Sequence, residues 1–142
     1  LTRTKTIKEK LLYLSLEKTT KKIRELFNNS EALKSNELSL EQWLIIELVG
    51  KNEGINQKKI IEILSKEPAS VSRMVKKLTN RQLIERKADK MDKKIVHLYL
   101  SDKGQEIYTT FKKSVDNTFK NIFSSIFERE LYLVIDILKR VE

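Results

Sequence analysis

The chain has no cysteine, one proline, three glycines and one histidine in 142 residues. Without Cys there are no disulfide frameworks, thiolate zinc sites or thiol-oxidation switches, and the chain reads as intracellular, acting in the cytoplasm. So little Gly and Pro disfavours long loops and β-rich architectures and leaves a mostly helical protein. A single His with no Cys near it is poor material for a metal site. There is no Gly-rich phosphate loop and no paired catalytic constellation, so an enzyme is not expected, nor a metal or other cofactor. No run of about 18 uncharged apolar residues is available to span a bilayer. Leu1–Lys10 is basic, but the apolar run Leu11–Leu16 is interrupted by Tyr13 and Ser15 and no small-residue cleavage site follows, so a secretory signal is not expected. The chain begins with Leu rather than Met, and a few native residues are expected ahead of it.

Charge is abundant and unevenly placed. Residues 58–94 hold 12 Lys and Arg against five Asp and Glu, so +7 of the net +9 sits in roughly a quarter of the chain. Such a local excess is the footprint of a surface that meets a polyanion. The hydrophobic fraction, 39%, is enough for one domain or for two lobes sharing a core.

Helical periodicity predicts a first helix over about residues 5–28, carrying Ile7, Leu11, Leu14, Ile23, Leu26 and Phe27 and ending at Asn28-Asn29-Ser30. Ser39 with Gln42 three residues on has the form of a capping box and predicts a second helix from Leu40 that stops at Gly50. Asn56 can cap a third helix, which gives way to the turn Ser65-Lys66-Glu67. Glu67-Pro68 places an acidic cap and a first-turn Pro before a fourth helix. On that helix Val71, Met74, Val75 and Leu78 share one face, and Ala69, Arg73, Lys76 and Asn80 line the opposite one beside Ser70 and Lys77. Small residues near a helix start let a backbone approach a DNA groove, and Arg, Lys and Asn reach bases or phosphates. Leu83–Lys87 and Ile95–Leu100 then bracket the polar loop Ala88–Lys94, which suits a hairpin with Lys90, Lys93 and Lys94 at its tip. Ser101 can cap a long last region whose apolar stripe runs through Ile107, Phe111, Val115, Phe119, Ile122 and Ile126, continuing through Leu131, Val134, Ile135 and Leu138. With the first helix it can form a lobe that buries against a second copy.

This order of elements resembles the MarR family of bacterial winged-helix transcription regulators. The resemblance rests on Leu40-Glu41-Gln42-Trp43, on Asn56-Gln57, on Glu67-Pro68-Ala69-Ser70-Val71-Ser72-Arg73-Met74-Val75-Lys76-Lys77-Leu78 and on Leu83-Ile84-Glu85-Arg86. The wing loop Asp89–Lys94 and the exit Val96–Gly104 complete it. It implies a mainly α fold with a small β-wing: a winged helix-turn-helix over residues 37–100, and a helical dimerisation region over 1–36 and 101–142. It also implies a homodimer on double-stranded DNA, with recognition helices in successive major grooves and wings in the flanking minor grooves. Carried over by position, Ser70, Ser72, Arg73, Lys76 and Lys77 match recognition-helix contacts, Lys93 and Lys94 the basic wing tip, and Asp92 the residue that steadies it. Three positions depart from the family. The tip offers Lys where Arg is frequent, and Lys reads a narrow groove less well. Gln82 stands where Gly is usual, so that turn must be made with a side chain. Ile61 replaces a small residue and is expected to widen the crossing of the third and fourth helices.

Each assignment has a plainer counterpart. Ser70 and Ser72 could be first-turn caps, Arg73 an ion-pair partner of Glu62 or Glu67, His97 a partly buried strand residue, and Trp43 and Met74 core. Family members frequently bind small aromatic or lipophilic effectors between their two lobes, and Tyr13, Trp43, Tyr108 and Phe111 are candidate lining residues for such a cleft here. The expected function is a sequence-specific regulator, acting as a repressor on a pseudo-palindrome. Its competitors are a non-specific architectural DNA-coating protein and a winged-helix module that binds an acidic protein instead.

Overall fold

The computed structural model describes residues 2–142 and opens with α1 (Thr2–Asn28), a helix that buries only Phe27. Its apolar positions Ile7, Leu11 and Leu14 are 53%, 56% and 59% exposed, so the stripe read from the sequence is uncovered in a single chain. The Asn28-Asn29-Ser30 break ends α1 as expected. A short helix not foreseen, α2 (Glu31–Ser35), follows it and buries Ala32 and Leu33. Five residues are too few for a helical period to register.

The capping box opens α3 (Leu40–Lys51): the Gln42 amide donates to Ser39 Oγ at 3.1 Å, and the Ser39 amide donates to Gln42 Oε1 at 3.0 Å. α3 does not stop at Gly50 but passes through it. A Cβ on Gly50 would meet the Tyr108 ring at 2.9 Å, so this glycine serves close helix packing rather than termination.

Next come β1 (Ile55–Asn56) and α4 (Gln57–Leu64), with Asn56 Oδ1 accepting from the Lys59 amide at 2.8 Å as the expected cap. α4 ends at Ser65, whose φ of 49° turns the chain toward α5 (Pro68–Asn80). Glu67 holds the cap position of α5, but its carboxylate makes no capping bond, since it has one methylene more than the Asp that favours this role. The turn after α5 is made by Gln82 at φ 60°, a left-handed backbone carrying a full side chain, as the missing glycine required.

β2 (Ile84–Ala88) and β3 (Val96–Leu100) form the expected hairpin. β1 adds a third strand on the far side of β3, giving the antiparallel order β1-β3-β2 with both Ile55 and Arg86 opposite Leu98. Ser101 caps α6 (Asp102–Ile122) by accepting from the Gly104 amide at 3.0 Å. The chain then breaks before α7 (Glu128–Lys139), which buries none of its residues.

One continuous core joins Phe27, Leu33, Trp43, Ile46, Ile60, Val75, Leu78, Leu98, Tyr108 and Val115, so the end of α1 and the inner face of α6 belong to the same packing as the winged helix. Glu41 ties three elements together. Arg24 of α1 donates to Glu41 Oε1 at 2.7 Å, and Lys66 of the α4–α5 turn lies 3.9 Å from the same oxygen. Burial pushes the Glu41 carboxyl up, but the Arg24 hydrogen bond, then a backbone hydrogen bond and the two cations, outweigh it and hold the group below its ordinary value. The result is a mainly helical protein with a small antiparallel sheet and a winged helix-turn-helix at its centre.

Candidate nucleic-acid interface

The two faces predicted for α5 are realised. Val71, Val75 and Leu78 are fully buried, Met74 is partly so, and Ala69, Ser72, Arg73, Lys76, Lys77 and Asn80 are exposed, with Ser70 intermediate. α5 is amphipathic for the simple reason that its apolar positions recur at 3- and 4-residue spacing, and burial of that seam fixes which side chains look outward. Neither plainer alternative for its polar residues is realised among the described residues. Arg73 forms no ion pair, Glu62 being paired with Lys59 at 3.6 Å, and the first-turn amides of Ser70 and Val71 donate to the Glu67 carbonyl rather than to a serine hydroxyl.

Not all the basic residues of 58–94 are available to a partner. Arg81 donates from Nη1 to the Glu37 carbonyl at 3.0 Å and from Nη2 to the Asn36 carbonyl at 2.5 Å, clamping the end of α5 to the loop after α2. Lys59 and Lys66 have carboxylate partners, and the Lys87 ammonium sits 4.7 Å from the centroid of the Tyr99 ring. Lys58, Arg73, Lys76, Lys77, Arg86, Lys90, Lys93 and Lys94 make no ion pair among the described residues.

Lys58 and Arg86 were not singled out from the sequence. The structure brings them together with Lys94 around a groove of about 500 Å³ between the start of α4 and the wing, completed by Asn56, Gln57, Ile95 and Val96. Their inclusion in the basic stretch was the only available signal, because the groove depends on β1 pairing with β3.

The wing loop is folded on itself by two aspartates. Asp89 Oδ2 accepts from the amides of Met91 and Asp92, both at 2.9 Å, and Asp92 Oδ1 accepts from the Lys94 amide at 3.0 Å. Lys90, Lys93 and Lys94 are thereby exposed on a loop of defined shape, with Met91 standing 96% exposed among them. His97 is partly buried on β3, as expected, and its Nε2 lies 2.7 Å from Asp89 Oδ1. That bond, then those from the Asp92 and Met91 amides, bring the Asp89 carboxyl down to about 2.

The four residues considered for an effector cleft are not brought together. Trp43 and Tyr108 are sealed in the core with ring centroids 6.1 Å apart, and Phe111 is half-buried against the same core. Tyr13, 62% exposed, lines a shallow groove with Thr6, Glu9, Lys10 and Leu14 of its own helix. Trp43 and Tyr108 instead fill the space between α3 and α6. Among the described residues no cluster of His, Asp and Glu could hold a metal ion, and no helix is long and apolar enough to cross a membrane.

Residues 38–96, which run from the loop before α3 to the start of β3, match the MarR family model. An uncharacterised HTH-type transcriptional regulator of Bacillus subtilis, YybA, is 26% identical over 108 residues, 76% of this chain and 72% of that protein. Among solved structures, the transcriptional regulator SlyA superposes with a TM-score of 0.78 at 25% identity, covering 92% of this chain and 90% of that one. A MarR family regulator from Listeria monocytogenes, solved in complex with a 26mer DNA, gives 0.77 at 25% identity over 91% and 85% of the two chains. Helix-turn-helix, wing and flanking helices thus agree with the family along nearly the whole length. Residues 38–96 match the MarR family, and along nearly its whole length the chain is similar to MarR-type transcription regulators.

Proposed function

We propose that this protein binds double-stranded DNA sequence-specifically as a homodimer, acting in the cytoplasm as a repressor on a pseudo-palindromic operator. The observation that carries the proposal is the set of unpaired cations on α4, α5 and the wing: Arg73, Lys76 and Lys77 with Ser70 and Ser72 for the major groove, and Lys90, Lys93 and Lys94 for the wing. Lys58 and Arg86 extend that set along the groove beside α4, where the chemistry suits a backbone phosphate. Cations left without intramolecular partners release counterions when they meet phosphate, which is the main source of DNA affinity.

Dimerisation is assigned to residues 1–36 and 101–142. In support, Leu11 and Leu14 of α1 are exposed together with Tyr132, Leu133, Val134 and Ile135 of α7, which are 63%, 59%, 50% and 48% exposed. Apolar helix faces of this extent are unstable against water and call for a second copy. Two-fold symmetry then sets half-sites about one helical turn apart. For an effector, a groove of about 330 Å³ between α1 and the end of α6 is better suited than the four aromatic residues. Ile23, Leu26, Ile122, Phe123 and Ile126 line it beside Lys18 and Lys22, a combination that fits a lipophilic anion.

The test is fluorescence anisotropy with the protein's own upstream intergenic DNA against scrambled DNA of equal length, at about 150 mM salt, where non-specific binding is weak. Tight binding to the upstream fragment alone, with a log–log salt slope steeper than about −5, is expected. Equal affinity for both fragments would favour an architectural DNA-coating protein. No retention of either at moderate salt would favour a protein-interaction module.

A further inference from the structure

His97 Nδ1 lies 2.8 Å from the Gly54 carbonyl oxygen, and Nε2 lies 2.7 Å from Asp89 Oδ1. A backbone carbonyl and a carboxylate are both acceptors, and a neutral imidazole has only one N–H to give. The ring can therefore satisfy both partners only as the imidazolium, donating from Nδ1 to Gly54 and from Nε2 to Asp89. Neutral His97 would turn a lone pair toward one of the two oxygens and lose that contact.

The two partners are far apart in the chain and differ in role. Gly54, at φ 83°, makes the turn into β1, and its amide donates to the Leu98 carbonyl at 3.0 Å. Asp89 organises the wing loop through the amides of Met91 and Asp92. We infer that His97, as the imidazolium, is a positioning residue for the wing: it braces the Asp89 turn against the Gly54 turn, and its protonation sets how the wing presents Lys93 and Lys94. This rests on the DNA-binding function proposed above.

The surroundings favour the charged ring. Asp89 is the principal cause that raises the His97 pKa above its ordinary 6.5, followed by the Gly54 carbonyl, while partial desolvation opposes both. The other groups facing it are Lys87, its cross-strand neighbour on β2, Asn56, its neighbour on β1, and Tyr99 two residues along β3. Lys87 disfavours a second cation, but its ammonium is drawn over the Tyr99 ring. Because the folded value is raised, the brace is fully present below 6.5 and is lost as pH rises through the higher folded value.

The chain's only histidine makes the experiment direct, since its ring resonances need no assignment. Imidazole and backbone-amide NMR signals of the full chain would be followed from about pH 5.5 to 9. In parallel, anisotropy would give the affinity for a random-sequence DNA duplex at low salt. We expect the ring to titrate above 6.5 and the Met91, Asp92 and Lys94 amides to shift with the same midpoint. DNA affinity should fall by about five-fold over that interval, the scale of one lost hydrogen bond. His97→Gln should remove the pH dependence of both amides and affinity, and Asp89→Asn should bring the ring's midpoint back toward 6.5. Wing amides that stay flat while the ring titrates overturn the brace, whatever the DNA does. Wing amides that titrate while wild type and His97→Gln keep the same pH profile of affinity overturn the positioning role. A protein that binds no DNA at any pH, with its ring and amides titrating as expected, refutes the DNA-binding function instead and takes the positioning role with it.

Discussion

Replacing Gly104 with alanine separates helix propensity from packing by the sign of its effect. Gly104 lies in the first turn of α6, where the propensity scale alone predicts that alanine stabilises by up to about 1 kcal/mol. A Cβ built there would stand 2.1 Å from the Leu83 carbonyl oxygen, so the α6 start must move away from the start of β2 by more than 1 Å to restore an ordinary contact. The obstacle is backbone and cannot rotate aside. Three hydrogen bonds cross or adjoin this contact: the Ser101 amide donates to the Leu83 carbonyl at 3.1 Å, the Ser101 hydroxyl donates to the Gln82 carbonyl at 2.5 Å, and the Gly104 amide donates to Ser101 Oγ at 3.0 Å. At about 1 kcal/mol each, their loss costs about 3 kcal/mol, and the gain in propensity leaves a net destabilisation of about 2 kcal/mol. For a chain of this size that lowers Tm by roughly 6 °C. Thermal and urea unfolding followed by circular dichroism at one fixed protein concentration would measure it, since a dimer's Tm depends on concentration. A Gly104→Ala variant as stable as the parent, or more so, would refute the close approach of α6 to Leu83.

Arg73→Ala should weaken binding to the cognate operator by about 1–3 kcal/mol and relax sequence preference, while Lys94→Ala weakens all duplexes evenly and flattens the salt slope by about one unit per site. Uniform losses from both in competition assays would demote Arg73 to a phosphate contact. Arg81→Ala should instead destabilise the fold by about 1–3 kcal/mol in urea melts, by releasing the Asn36 and Glu37 carbonyls, and leave the salt slope of DNA binding unchanged. A changed salt slope would mean that this guanidinium also meets phosphate.

What could be read from the sequence was local. The Ser39–Gln42 box, the Asn56 and Ser101 caps and the two faces of α5 involve residues within one or two turns of each other, and the structure contains them all. Apart from the short α2, what could not be read depends on segments distant in sequence. β1 is two residues long and exists only because Ile55 and Asn56 pair with β3, more than forty positions later. The same pairing builds the groove that gathers Lys58, Arg86 and Lys94, and it brings the Gly54 carbonyl to His97. The role of Arg81 was hidden for the same reason, its partners lying 44 and 45 residues away. Whether Trp43 and Tyr108 face a cleft or the core is not legible in the sequence, because an aromatic at helical spacing carries no mark of whether its neighbour will be solvent or another ring.

The left-handed turns at Glu37, Ser65 and Gln82 have an evolutionary corollary. Each holds a side-chain-bearing residue where glycine would relieve strain of roughly 1 kcal/mol, and two of them flank α5 itself. Local turn chemistry therefore does not dictate the angle at which α5 leaves the body. The seam of Ile60, Val71, Val75 and Leu78 dictates it, and the turns comply. Drift in the turn residues would leave the orientation of α5 unchanged, whereas a single altered volume in the seam would re-aim the whole helix without touching one exposed residue.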